Sequence, residues 1–139
     1  MPAAPIAFQV TAPYFCYGSK ELAHLSRRDA RLARAIEAIG PVRRTVRPDF
    51  FAALMHAIVG QQIATKAQET VWTRLETALG RVTPATVAAA GTELLQKQGL
   101  SYRKVSYMQA AAAAALCGDL DPEALRRLDD AALCAARCA

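Results

Sequence analysis

The 139-residue sequence contains no Gly-x-Gly, no C-x-x-C and no run approaching the roughly 18 apolar residues needed to span a bilayer. Each absence closes a class of function. Its seven glycines never lie closer than eight residues apart, so there is no glycine-rich loop to cradle a phosphate. The four cysteines (Cys16, Cys117, Cys134, Cys138) and two histidines (His24, His56) fit no common zinc or iron–sulfur spacing. No metal and no other cofactor is expected, and the thiols are expected to be reduced. The N-terminal MPAAPIAFQV has neither a basic n-region nor a long apolar core. A cytoplasmic location without membrane attachment is therefore expected. No Ser–His–Asp or Cys–His grouping and no pair of carboxylates stands out, so no catalytic residue is named.

Apolar residues make up 53% of the chain and charged ones 21%, which places it among folded globular proteins. The formal net charge of +5 and pI near 9.3 suit a polyanionic partner. That excess is unevenly placed: residues 1–48 carry eight basic and three acidic side chains, residues 49–139 nine of each. Arginine outnumbers lysine thirteen to four in an alanine-rich chain, a bias of GC-rich coding that weakens arginine as evidence for phosphate binding.

Periodicity predicts an all-α protein of seven or eight short amphipathic helices behind an extended N-terminal stub, residues 1–18. Ser19 is a candidate cap for one helix bearing Leu22, Leu25, Leu32, Ile36 and Ile39 on one face, ended by Gly40-Pro41. Asp49 can cap a helix carrying Phe51, Leu54, Met55, Ile58 and Val59. A further helix holds Val71, Trp72, Leu75 and Leu79 and stops at Gly80. Thr83-Pro84 pairs a cap with an N1 proline. A short helix around Leu94 and Leu95 follows. Ser101 then caps the helix of Val105 and Met108, Asp121-Pro122 opens another, and Asp129 or Asp130 a last one.

Between the second and third of these helices lies IVGQQIATK, residues 58–66. Glycine costs a helix interior roughly 1 kcal/mol relative to alanine, so a turn is expected there. Gln61 and Gln62 then need solvent, a buried polar network or an external partner. Several other candidates have plain structural readings. His56 reads as a satisfied, partly buried histidine and Trp72 as core packing. Arg27, Arg28, Arg31 and Arg34 read as a solvated face. Arg103 and Lys104 sit in the first turn of a helix, where cations oppose the macrodipole. With Ser101 they are candidate phosphate contacts, and an ordinary surface turn is the equal alternative.

The ordered series PDFFAALMHAIVGQQIATKAQETVWTRL, TPATV, QGLSYRKVSYM, GDLD and LRRLDDAAL resembles the helix-hairpin-helix superfamily of DNA glycosylases, in its 3-methyladenine DNA glycosylase II branch. The likeness covers about residues 6–133, is most specific at Gly-Gln-Gln-Ile and Gly-Leu-Ser-x-Arg-Lys, and implies an incomplete helical glycosylase-like domain over 19–133 with a divergent tail at 134–139. It implies the first half of that fold and base excision of alkylated bases from double-stranded DNA, by flipping the damaged base and cleaving its N-glycosidic bond. It also implies that Gly60, Gln61 and Gln62 form a minor-groove wedge. Ala64 stands where the family usually has serine, and Thr65 is a candidate replacement cap.

The family's catalytic hairpin, roughly Leu-x-Gly-Ile-Gly-x-Trp-Thr-Ala, and the aspartate after it are expected just beyond Leu133, where the sequence reads CAARCA. Asp129 and Asp130 precede that position and are read as helix-start residues. These residues alone are accordingly expected to be inactive, to expose apolar faces and to self-associate. A frameshift or premature stop is one account of the ending. A non-enzymatic helical DNA-binding or protein-interaction module, or a product without function, are the alternatives.

Overall fold

The computed structural model describes residues 14–138, which fall into two compact units meeting between Pro48 and Asp49. Among the described residues there are nine helices and one isolated antiparallel bridge, Tyr14 to Thr45. None of these helices is long and apolar enough to cross a membrane. Residues 1–13 of the expected extended stub lie outside the described part.

The first unit holds α1 (Ser19–Arg28) and α2 (Ala30–Ile39). Two expectations are corrected here. The single helix over the Leu22–Ile39 face is two helices, broken at Asp29, whose backbone is extended and whose carboxylate accepts from the amides of Arg31 and Leu32 at 2.7 and 3.1 Å. An aspartate that binds amides two and three residues ahead starts a helix of its own and needs no glycine or proline to do so. The cap of α1 is Gly18, not Ser19, which is the first helical residue. The Gly18 amide donates to the Glu21 carboxylate at 2.7 Å, holding that carboxyl below its usual range. Neither helix has a buried residue. Their apolar stripes instead line an open cleft of about 340 Å³, with Leu22, Leu25, Leu32, Ile36 and Ile39 along it.

The second unit contains α3 (Phe50–Gly60), α4 (Thr65–Leu79), α5 (Pro84–Ala89), α6 (Thr92–Lys97), α7 (Tyr102–Cys117), α8 (Pro122–Arg126) and α9 (Asp130–Cys138). Its core is one cluster in which Met55, Val59, Leu75, Val87, Leu95, Val105 and Met108 are almost wholly buried. Each such side chain contributes about 1.5–3 kcal/mol relative to exposure. Helix α7 is central, packing on α3, α5 and α6, while α3 and α4 form a helical hairpin.

Most of the expected starts are present. Asp49 accepts from the Ala52 amide, Thr83 and Thr86 cap α5 reciprocally ahead of Pro84, and Ser101, Asp121 and Asp129 each accept from an amide at the start of α7, α8 and α9. At α4 the expectation fails: Ala64 occupies the cap position with no side-chain hydrogen bond, and Thr65 is already helical. The Thr65 hydroxyl therefore stands one residue too late to serve as cap.

Candidate nucleic-acid interface

Helix α3 ends at Gly60, and the chain then makes a tight corner. Gln61 has φ −59° and ψ 125°, Gln62 has φ +58°, and the Ile63 amide donates to the Gly60 carbonyl at 3.4 Å. This is a type II turn, whose second corner residue needs a positive φ and is usually glycine or asparagine. Gln62 is the sole non-glycine residue with positive φ among those described. For a side chain with a Cβ the left-handed region costs about 1–2 kcal/mol, so something must hold the turn. Both glutamines are exposed, as is Ile63 beside them.

What holds it is the end of α3. A helix leaves its last four carbonyls without intrahelical partners. Here the Ile58 carbonyl accepts from the Gln61 amide, the Val59 carbonyl from the Lys104 ammonium at 2.7 Å, and the Gly60 carbonyl from Ile63. One turn earlier, the His56 carbonyl accepts from the Gln68 side-chain amide at 2.8 Å. The same amide nitrogen lies 3.1 Å from His56 Nδ1, and Glu69 Oε1 lies 2.8 Å from His56 Nε2. With Gln68 donating to Nδ1, the ring's proton sits on Nε2 and points at Glu69. His56 also meets the buried Trp72 edge to face, ring centroids 5.1 Å apart. The structural readings of His56 and Trp72 both hold.

Gly60 leaves room for the Gln68 amide. A Cβ there would lie 2.2 Å from Gln68 Nε2, on top of the amide that ties α4 to α3. A second glycine does comparable work downstream. Gly99 has φ +101°, and a Cβ would come within 3.3 Å of Val71 Cγ2 and 3.9 Å of Arg74 Nη1. The α6–α7 connection can therefore run against α4, which brings Ser101 and the start of α7 to the same end of the unit as the glutamine turn.

Of the candidate phosphate contacts, Ser101 and Arg103 are exposed, with Ser101 Oγ accepting from the Lys104 amide at 3.3 Å. Lys104 is half-buried, and its ammonium is on the Val59 carbonyl. Arg27, Arg28, Arg31 and Arg34 are exposed on the other unit. Among the described residues no cluster of His, Cys, Asp or Glu is placed to hold a metal. Sequence reasoning did not anticipate the Gln68 contacts to His56 or the Lys104 hydrogen bond to Val59. Their partners are 12 and 45 residues away, beyond any local pattern.

The helical unit thus presents an exposed polar turn, Gln61-Gln62, at the end of α3. The chain belongs to the HhH-GPD superfamily of base excision DNA repair proteins, whose family model matches residues 55–137. Two solved structures are similar to it. One is a DNA-3-methyladenine glycosidase from Bacillus halodurans, 28% identical with a TM-score of 0.67, over 87% of this chain and 57% of that one. The other is the Schizosaccharomyces pombe 3-methyladenine DNA glycosylase in complex with abasic DNA, 25% identical with a TM-score of 0.75, over 86% of this chain and 62% of that one. The chain thus spans about three-fifths of the length of each. No curated protein matches it. The all-α glycosylase fold implied by the sequence resemblance is the fold observed.

Proposed function

We propose that this chain supplies the DNA-opening part of a glycosylase that removes alkylated bases from duplex DNA, with Gly60-Gln61-Gln62 as the minor-groove wedge. The observation that carries this is the strained turn: two exposed glutamines on a helix end whose carbonyls are tied down. A wedge must replace a flipped nucleotide in the stack without collapsing, and a turn held in one geometry does so without ordering anew on binding. Gln62 is the better wedge of the two, because the positive φ sets it at the second corner of the turn. Its amide can both donate and accept at base edges. Ser101 and Arg103, at the same end of the unit, would contact backbone phosphate, with the α7 amides adding to the attraction. A cytoplasmic site of action, on chromosomal DNA free of any membrane, goes with this reading.

A binding-only function is the second reading. In it the exposed glutamines Gln61 and Gln62 engage the duplex without release of a base. The two readings part on whether methylated DNA incubated with the chain releases free base.

Gln62→Gly tests the wedge itself. Glycine keeps the turn and relieves its strain, so thermal stability is expected to hold or rise by up to about 1 kcal/mol. Affinity for a duplex containing an abasic site is expected to fall roughly tenfold, the loss of about 1.4 kcal/mol of contact. Equal affinity of Gln62→Gly and the parent chain, by fluorescence anisotropy, would sink the wedge assignment.

A further inference from the structure

At the start of α7, Ser101, Tyr102 and Arg103 are exposed and Lys104 is not. Lys104 is half-buried and directs its ammonium at the Val59 carbonyl, 2.7 Å away and one residue before the glutamine turn. Gln68, from α4, reaches the His56 carbonyl at 2.8 Å, one turn earlier on the same helix. The two side chains come from different helices and fasten the same helix end, just where the backbone enters a conformation that a glutamine adopts only under constraint. A cation at a helix C-terminus also complements the partial negative charge there, which a phosphate contact by the same ammonium would not do.

We propose that Lys104 and Gln68 are positioning residues for the glutamine turn, holding Gln62 at positive φ, and that Lys104 is not itself a phosphate ligand. The proposal rests on the reading of the turn as the DNA-contacting element, but its structural half stands independently of DNA. Without the Lys104 strap the Val59 carbonyl turns to water, the last turn of α3 frays, and Gln62 relaxes toward negative φ. The wedge is then present in composition and absent in geometry.

Two measurements on the 139-residue chain test this. The first is NMR, since positive φ brings a residue's amide and α protons close and gives Gln62 a strong intraresidue cross-peak. Lys104→Met is expected to weaken that cross-peak markedly, while the blue-shifted emission of the single buried Trp72 stays unchanged. Lys104→Arg, which retains charge and donors, is expected to restore it. The second is the salt dependence of duplex binding. A lost phosphate contact lowers the slope of log K against log salt by about 0.9, whereas a lost strap lowers affinity and leaves the slope intact. Lys104→Met is expected to reduce affinity about tenfold at unchanged slope, and Arg103→Met to reduce the slope.

A slope that falls for Lys104→Met as it does for Arg103→Met overturns the proposal, and so does an unaltered Gln62 cross-peak. Should Lys104→Met unfold, seen as a red shift of Trp72 emission, Gln68→Ala reads the same effect at the other carbonyl; an unchanged cross-peak there overturns it equally. If the parent chain binds duplex no better than Gln61→Ala/Gln62→Ala, the wedge reading fails, and the cross-peak still decides the role of the straps.

Discussion

Gly60 and Gln68 occupy the same few ångströms, and that competition decides what glycine is doing at the end of α3. A Cβ at position 60 would sit 2.2 Å from the Gln68 amide nitrogen. Alanine is the better helix former by roughly 0.5–1 kcal/mol, but it would displace an amide that donates to both the His56 carbonyl and its ring. Losing those bonds costs about 1–3 kcal/mol. Gly60→Ala is therefore expected to destabilise by roughly 1 kcal/mol in urea denaturation. Once Gln68 is shortened by Gln68→Ala, the same change is expected to stabilise by about 0.5–1 kcal/mol. A destabilising effect of equal size in both backgrounds would show that Gly60 answers to something other than Gln68. The glycine was legible in the sequence as a helix ending; its collision partner was not, because nothing local marks a glutamine eight residues on as the neighbour of a glycine.

The boundaries of the elements are set by short polar side chains, and they differ in how openly the sequence shows them. Thr83-Pro84 and Asp121-Pro122 pair a cap with a proline at N1 and are read directly. Asp29 is a cap of the same strength hidden in a continuous apolar periodicity, with no breaker beside it. The α1–α2 break thus depends on one carboxylate holding two amides at 2.7 and 3.1 Å. Asp29→Ala is expected to cost about 1 kcal/mol, since both amides lose their acceptor. Asp29→Asn should recover most of it, and circular dichroism through a thermal unfolding curve separates the two. Identical curves for alanine and asparagine would mean that packing of α1 on α2, not the cap, makes the break.

Across the whole molecule, apolar surface is left uncovered on both units. Ile39 is 72% exposed, Leu116 58% and Val42 51%, and the α1–α2 cleft is lined mostly by aliphatic side chains. In the other unit an open groove of about 390 Å³ is lined by Phe50, Leu54, Pro122, Leu125, Arg126 and Leu133. Each large side chain left in water forgoes about 1.5–3 kcal/mol of burial, and apolar grooves of this kind favour association. The purified 139-residue chain is accordingly expected to self-associate with rising concentration in sedimentation velocity. A strictly monomeric species that melts sharply and reversibly at high temperature would contradict this.

By itself the sequence determined where most helices begin and end, because a cap and the amide it satisfies lie within three residues of each other, as at Asp49, Ser101 and Asp129. The glycine in Gly60-Gln61-Gln62 also marked a turn there, and the chain does turn at that point. The tertiary structure alone decided the shape of that turn. A positive φ at glutamine is locally unfavourable, so no sequence pattern announces it, and it persists only where distant groups fix the backbone on its approach. Gln68 and Lys104, brought to α3 by the packing of α4 and α7 around one core, hydrogen-bond the His56 and Val59 carbonyls on that approach. The same packing sets the Lys104 ammonium on the Val59 carbonyl, a partner 45 residues away that no local pattern marks.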